Sequence, residues 1–455
     1  MELTHKRYLK ITFPFMLSSV AVPVIGAVDT AVVGRLGSPD YISAVALGAV
    51  IFSTIYWLLG FLRITTAGMT AQAVGREDKE EVFLILLRAL LLAALIGLLL
   101  FAFHRFIFAA AQLVFQPEAV VALLMKRYFD ILVWGFVPFL LYQVLAGWIT
   151  GILQIKTVVV LELGTSLVNF ILDLCFVNLW NLNIDGVAYA SLLAQLVGFI
   201  VAVCYILCRQ KCYLAIVRWN SFFDKGACLK LTGCCTHLMI RTICMLFMIN
   251  TFMRQSAAFG SNILAANSIL FQIQYIIGDI FAGLSQSAAL YAGVAVGEKN
   301  SRLFFDNLKI NGLWSLLMGG LLSFGYYLLR EPILYCFTDL PDVLAAAYEY
   351  DIYIVFFSFI AALGIVYYGI FNGALITAPI CYSMLLTVIA FLISKTALIP
   401  IFGNAGLWQS FLIFYLGRTI FLLIFLPFLY RKLFVFPRSE ASFDDGKDLF
   451  PEGSI

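Results

Sequence analysis

Leu167-Val168-Asn169-Phe170-Ile171-Leu172-Asp173-Leu174-Cys175-Phe176-Val177 is a run of large apolar side chains broken by one amide and one carboxylic acid, four residues apart. It forms the middle of an apolar segment centred near residue 168 that is long enough, at about 20 residues, to cross a hydrocarbon core. A second acid lies just as deep in Ile25-Gly26-Ala27-Val28-Asp29-Thr30-Ala31-Val32-Val33. An ionised carboxylate at the centre of a bilayer helix costs roughly 2.5 to 3.5 kcal/mol on insertion scales. A chain that keeps two of them is expected to use them, to carry a proton or a cation.

The rest of the chain is of the same kind. Of 455 residues, 63% are hydrophobic and 12% charged, and the mean hydropathy is +0.98; soluble domains average about 25% charged. Apolar segments centred near residues 22, 52, 93, 139, 168, 197, 247, 279, 319, 362, 390 and 417 give twelve expected crossings and leave no room for a soluble domain. The fold class expected is an all-α integral membrane protein. The first segment follows Lys6, Arg7 and Lys10 as a signal peptide would, but runs past Asp29 without a small-residue cleavage site, and is read as a retained helix. Ten cysteines occur singly or as Cys234-Cys235, with Cys204, Cys208 and Cys212 at helical spacing. Without a Cys-x-x-Cys pair or a histidine cluster they read as small packing residues.

Basic residues gather at alternate connections: Lys6, Arg7 and Lys10; Arg76 and Lys79; Lys156; Arg209, Lys211, Arg218, Lys225 and Lys230; Lys299 and Arg302; Arg431 and Lys432. Lys126, Arg127 and Arg330 are the exceptions. The positive-inside rule then puts both termini in the cytoplasm, and an even number of crossings agrees. The two halves align at a spacing of 222 residues: Ala44 with Ala266, Val74-Gly75 with Val296-Gly297, and Gly147-x-x-x-Gly151 with Gly369-x-x-x-Gly373. Gly186 meets Gly406 after a two-residue slip. A duplicated six-helix unit faces the same way twice, which predicts two bundles about an axis along the membrane normal. The expected organisation is an N-lobe over 1–208, a cytoplasmic linker over 209–231, a C-lobe over 232–430 and a polar tail over 431–455. The positions matching Asp29 (Thr251 or Phe252) and Asp173 (near Ile393 or Lys395) are not acidic, so the pair belongs to the first lobe alone.

On a helix Asn169 and Asp173 share one face, which Thr165 and Glu162 extend toward the cytoplasmic end. Two nearby carboxylates would titrate as a unit. The competing reading of such residues is a hydrogen-bond network that fixes helix packing. Pro14, about four turns before Asp29, frees a backbone carbonyl and is a candidate bending point, with Pro23 and Gly26 loosening the helix nearer the acid. Arg63, Arg88, Arg254 and Arg418 are read as helix-end residues that reach for headgroups. Asp279 with Asn267, Gln272, Gln274 and Gln286 forms a candidate polar lining of the second lobe.

Val28-Asp29-Thr30-Ala31-Val32-Val33-Gly34, the stretch from Phe61 through Arg63-Ile64-Thr65-Thr66-Ala67-Gly68 to Val74-Gly75, and the run from Gly147-Trp148 through Asn169, Asp173, Gly186 and Ser191 resemble the DinF branch of the multidrug and toxic compound extrusion (MATE) transporters. The resemblance spans essentially the whole chain. It implies an exporter of organic, often cationic, compounds in exchange for protons or sodium ions. It also implies that Asp29 is the protonation site, that Asn169, Asp173 and Ser191 complete the ion-coupling set, and that Pro14 is the bending residue, with Tyr128 as a further network member. Ala282 and Ala289 stand where bacterial relatives carry acids around the position of Gly283, and Asp279 is the candidate compensation.

The expectation is therefore an alternating-access antiporter of the cell inner membrane and not an enzyme, with a small organic substrate and the lipid bilayer as its partners, no nucleic acid, and a monomeric state. No cofactor is expected beyond the coupling ion, with sodium at Asp29, Asn169 and Asp173 as the alternative to a proton. A rival with the same architecture is a flippase for lipids or lipid-linked sugars, which would call for a cavity lined by several arginines. A prenyl transferase would need an Asp-Asp-x-x-Asp cluster for magnesium, which the chain lacks.

Overall fold

The computed structural model describes residues 3–33, 39–180, 182–210 and 224–435; within these, the side chains of 21–33, 39, 178 and 435 lie outside the description. Every regular element among the described residues is helical. In the first half the helices are α1 His5–Val33, α2 Pro39–Leu58, α3 Phe61–Gly75, α4 Lys79–Ala102, α5 His104–Phe115, α6 Ala119–Leu132, α7 Phe136–Gly151, α8 Ile155–Asp173 and α9 Asn183–Arg209. In the second half they are α10 Lys225–Ala258, α11 Ser261–Gly297, α12 Ser301–Tyr335, α13 Pro341–Tyr350, α14 Ile352–Gly373, α15 Ala378–Phe402 and α16 Asn404–Tyr430. Among the described residues, 11 spans are long and apolar enough to cross a membrane, α2 with α3 forming one and α6 with α7 another. With α1, 29 residues and so about 43 Å long, the crossings are the twelve expected. They form two six-helix bundles related by a pseudo-two-fold axis.

The repeat is visible in the backbone. Leu153 and Leu375, 222 residues apart, both take left-handed conformations (φ 66° and 56°), as do Glu77 and Lys299 (φ 60° and 53°). These non-glycine residues sit where a helix must end sharply. Asp78 caps α4 by accepting from the Glu81 amide at 3.0 Å, and its counterpart Asn300 caps α12 by accepting from Leu303 at 3.0 Å. The glycines follow the same rule. A Cβ on Gly147 would come 2.5 Å from the Arg63 carbonyl oxygen, and one on Gly369 would come 2.0 Å from that of Ser285, the residue 222 further on. After the slip, Asn183 (φ 48°) is answered by Gly403 (φ 57°).

Two of the three basic residues that break the orientation pattern are paired with acids. Arg127 pairs with Asp185, and Arg330 lies 3.6 Å from Asp351.

The lobes meet on the side of the membrane where the amino terminus lies. Gly75 and Gly297, matched in the repeat, face each other there: a Cβ on Gly297 would stand 2.2 Å from the Gln72 carbonyl and 2.9 Å from Gly75 Cα. Gln72 Nε2 donates across the same seam to the Gly373 carbonyl at 2.9 Å. Helix α1 belongs to both lobes, packing on α8 of the first and α11 of the second.

Candidate functional site

Helix α8 carries Thr165, Asn169 and Asp173 at i, i+4 spacing, and at Asp173 the α-helix ends and a π-helical turn, Leu174–Leu179, takes over. Such turns widen the backbone and gather at functional positions. Asp173 is 2% exposed. Asn169 Nδ2 lies 3.2 Å from Asp173 Oδ2 and 3.5 Å from Ser191 Oγ on α9, so one amide nitrogen bridges the acid and the hydroxyl. Tyr128 on α6 is buried within electrostatic reach of Asp173, and its ring fills the space left by Gly48 on α2, where a Cβ would stand 2.4 Å away. Asn169, Asp173, Ser191 and Tyr128 are thus brought together. Asp29 lies in α1, but its side chain, like those of Pro23 and Gly26, falls outside the described residues.

Thr165 takes no part in that set. Its hydroxyl donates to Leu161 O at 2.8 Å in its own helix and packs on Gly198. One turn further along, Glu162 forms a second polar centre: it pairs with Arg63 of α3 and accepts from Ser18 of α1, with Tyr142 of α7 alongside. This corrects the snorkelling assignment of Arg63, which pairs with Glu162 from the first turn of α3, part-way along the apolar span Asp40–Gly75. Arg88 is also buried and bonded, 2.9 Å from Glu81. Arg418 is 3% exposed at the middle of α16 and reaches no headgroup. Arg254 is exposed, as the helix-end reading has it.

Pro14 sits inside an unbroken α1, between two anchors of opposite allegiance. Before it, Tyr8 Oη donates to Asn311 Oδ1 at 2.8 Å and Thr12 Oγ1 donates to Ser287 Oγ at 2.9 Å, both in the second lobe. After it, Ser18 bonds Glu162 in the first lobe. Pro14 lies between these anchors and lacks the N–H that would bond the Lys10 carbonyl one turn earlier, so α1 is short of one helical hydrogen bond there. The far side of this latch is a buried amide ladder: Asn311 Nδ2 donates to Asn307 Oδ1 at 2.6 Å, and Asn307 Nδ2 to Ala288 O at 3.0 Å. Sequence reading missed Tyr8, Asn307 and Asn311, although Asn307 and Asn311 have the same four-residue spacing as Asn169 and Asp173.

The five polar residues of α11 divide between two faces. Asn267 and Gln274 are buried. Asn267 is the hub of a knot, donating to Ser256 Oγ and Asn404 Oδ1, both at 2.8 Å, and accepting from Trp408 Nε1 at 2.9 Å. Gln274 donates to Tyr415 Oη at 3.4 Å. Gln272, Asp279 and Gln286 follow at intervals of seven on a less buried stripe, with Gln272 exposed and the other two partly so.

The MatE family profile matches residues 14–175 and 238–395, one stretch in each lobe. The chain is 27% identical over 415 residues to DNA damage-inducible protein F of Escherichia coli (strain K12), covering 90% of this chain and 89% of that protein. It is 19% identical over 382 residues to a probable multidrug resistance protein NorM of Halalkalibacterium halodurans, covering 81% of each. A solved outward-facing multidrug resistance MATE family transporter of the MOP superfamily shares its fold, with a TM-score of 0.84 at 17% identity over 94% of this chain and 96% of that one.

Proposed function

Since this chain belongs to the MatE family of multidrug and toxic compound extrusion transporters, we propose that it exports amphipathic organic cations in exchange for protons or sodium ions, by alternating access between its lobes. The observation that carries this reading is the Asn169 amide bridging a buried Asp173 and Ser191 beside Tyr128. An amide so placed donates to the carboxylate when it is ionised. When Asp173 takes up a proton, or an ion, the partner it needs changes, and the arrangement around Asn169 changes with it. Asp29 is assigned the protonation role by the family resemblance, and carboxylate, amide and hydroxyl oxygens are ligands a sodium ion also accepts.

Both termini are cytoplasmic in this reading and the membrane is the cell inner membrane. The closed seam at Gly75 and Gly297 then faces the cytoplasm, and the chain stands in its outward-facing form. Neutralising the N-lobe acids shifts α1 between its C-lobe latch and its Ser18–Glu162 anchor, so that ion entry and substrate release become one movement. Each elementary charge moved through the field contributes about 2.3 kcal/mol per 100 mV.

Uptake of a cationic dye into inverted vesicles, with the pH and sodium gradients collapsed one at a time, identifies the coupling ion. In the same vesicles Asp29→Asn and Asp173→Asn are expected to abolish gradient-driven uptake while the protein still inserts. Undiminished uptake by both variants would overturn the coupling role.

A further inference from the structure

Arg241 lies midway along the 34 residues of α10, and Arg418 midway along the 27 of α16. Both turn into the C-lobe, where their guanidinium carbons stand 4.6 and 5.3 Å from the centre of the Tyr368 ring on α14. Tyr415 and Gln274 close the group: both are buried, they are joined at 3.4 Å, and Tyr415 is within electrostatic reach of both arginines. Among the described residues neither arginine has a carboxylate partner or a hydrogen bond. Arg241 Nε and Tyr368 Oη are buried with nothing to bond. Asp279 of α11 forms no ion pair with either.

A guanidinium stays charged at any pH the protein meets. A ring face returns about 0.5 to 2 kcal/mol, whereas burying an ion costs several, and here two like charges share one ring. The group therefore lacks a negative charge, and it presents a planar array of N–H donors with a phenol and an amide beside them. We propose that it binds an anionic group, a carboxylate, sulfonate or phosphate, carried by the transported compound. On the reading that the lobes handle organic cations, the preferred substrate is a zwitterion, its cationic part toward the N-lobe acids and its anionic part on Arg241 and Arg418.

The test uses the purified full-length protein in nanodiscs of neutral phosphatidylcholine, without any ion gradient, and one rhodamine dye in two forms: the zwitterionic free acid and the cationic methyl ester. By fluorescence anisotropy the free acid is expected to bind about tenfold or more tightly than the ester. In Arg241→Gln with Arg418→Gln that ratio falls toward one while ester affinity stays within about twofold, which also reports a folded protein. Should the double variant lose both ligands, Arg418→Lys decides, since it keeps the charge and part of the preference. Equal or absent binding of the two forms by the wild type, or a preference that survives the double substitution, overturns the proposal. So does an arginine-dependent rise in melting temperature with inorganic phosphate or phosphatidylglycerol alone, if the free acid has no advantage, because the anion would then be a free ion or a headgroup. Asp173→Asn, which tests ion coupling, is expected to leave the acid-to-ester ratio in place, so the two readings fail separately.

Discussion

The two lobes share a backbone and differ in charge. At the spacing of 222 residues the same turns recur at Leu153 and Leu375, the same caps at Asp78 and Asn300, and the same glycine contacts at Gly147 and Gly369. The interiors have opposite polarity. The first lobe holds Asp173 and Glu162, the latter neutralised by Arg63, whose counterpart in the second lobe is Ser285. The second holds Arg241 and Arg418 with no acid paired to either among the described residues, and their counterparts are Ser19 and Gly198. Glycines and caps at helix ends fix how the helices cross, whereas side chains at mid-helix set the charge of each interior. The two sets occupy different residues, so one could diverge while the other stayed.

The largest expected effect lies at the acid with no counterpart. Asp173→Asn keeps the shape of the side chain and most of its hydrogen bonding but cannot ionise, and coupled export in reconstituted vesicles should fall by about a hundredfold or to background. Placing an acid in the second lobe, by Ile393→Asp, should not rescue it, because no bridging amide and hydroxyl await it there; rescue would mean that the lobes are interchangeable.

One substitution made in each lobe should have opposite signs. Arg63→Gln strands Glu162, and breaking a buried pair costs roughly 3 kcal/mol; the partial exposure of this pair puts the expected loss at about 2. Arg418→Gln removes a charge with no acid to neutralise it, so thermal unfolding in detergent should show a gain of about 1 kcal/mol or more. A loss of equal size at both sites would remove the contrast between the lobes.

The sequence carried the crossings, the repeat and the Asn169–Asp173 pair, because each depends on local spacing: apolar length, a fixed offset, and one helical turn. Partners drawn from distant segments were not legible. Glu162 was expected to extend the Asp173 face, but its ion pair lies on α3 and is set by how α3 and α8 cross. The polar residues of α11 were grouped by composition, and the helical period separates them: Asn267 and Gln274, seven apart, turn inward, and Gln272, Asp279 and Gln286 occupy another stripe. Arg241 was passed over and Arg418 placed at a helix end because both helices are longer than the 20 residues a crossing needs. That makes the distance of a residue from a helix end uncertain when the ends are estimated from hydropathy.

The seam between the lobes gives the next effect in size. Gly297→Ala would put a methyl group 2.2 Å from the Gln72 carbonyl, backbone that cannot turn aside. Closure on the amino-terminal side should lose about 2 kcal/mol, roughly a thirtyfold change in the closed-to-open ratio. A native thiol reports it: Cys235 on α10 lies buried, 3.8 Å from Thr65 Oγ1 on α3 across the seam. In a chain whose other cysteines are replaced, maleimide labelling of Cys235 should rise in proportion to the open fraction.

The smallest effect tests whether α1 is a passive strap or part of the lock. Tyr8→Phe removes one hydroxyl and leaves the ring in place, so ring packing at the seam is kept while the bond to Asn311 is lost. A neutral hydrogen bond contributes about 1 kcal/mol net, so Cys235 labelling should rise about fivefold, well below the glycine variant. If the latch and the seam belong to one closed state, Tyr8→Phe with Gly297→Ala should add nearly independently, because the two sites share no partner. If α1 instead releases before the seam parts, Tyr8→Phe should leave labelling at Cys235 unchanged and raise only the flexibility of the segment around Pro14, measurable by amide hydrogen exchange there. Labelling therefore separates a lobe-to-lobe bolt from a strap that hangs on one side.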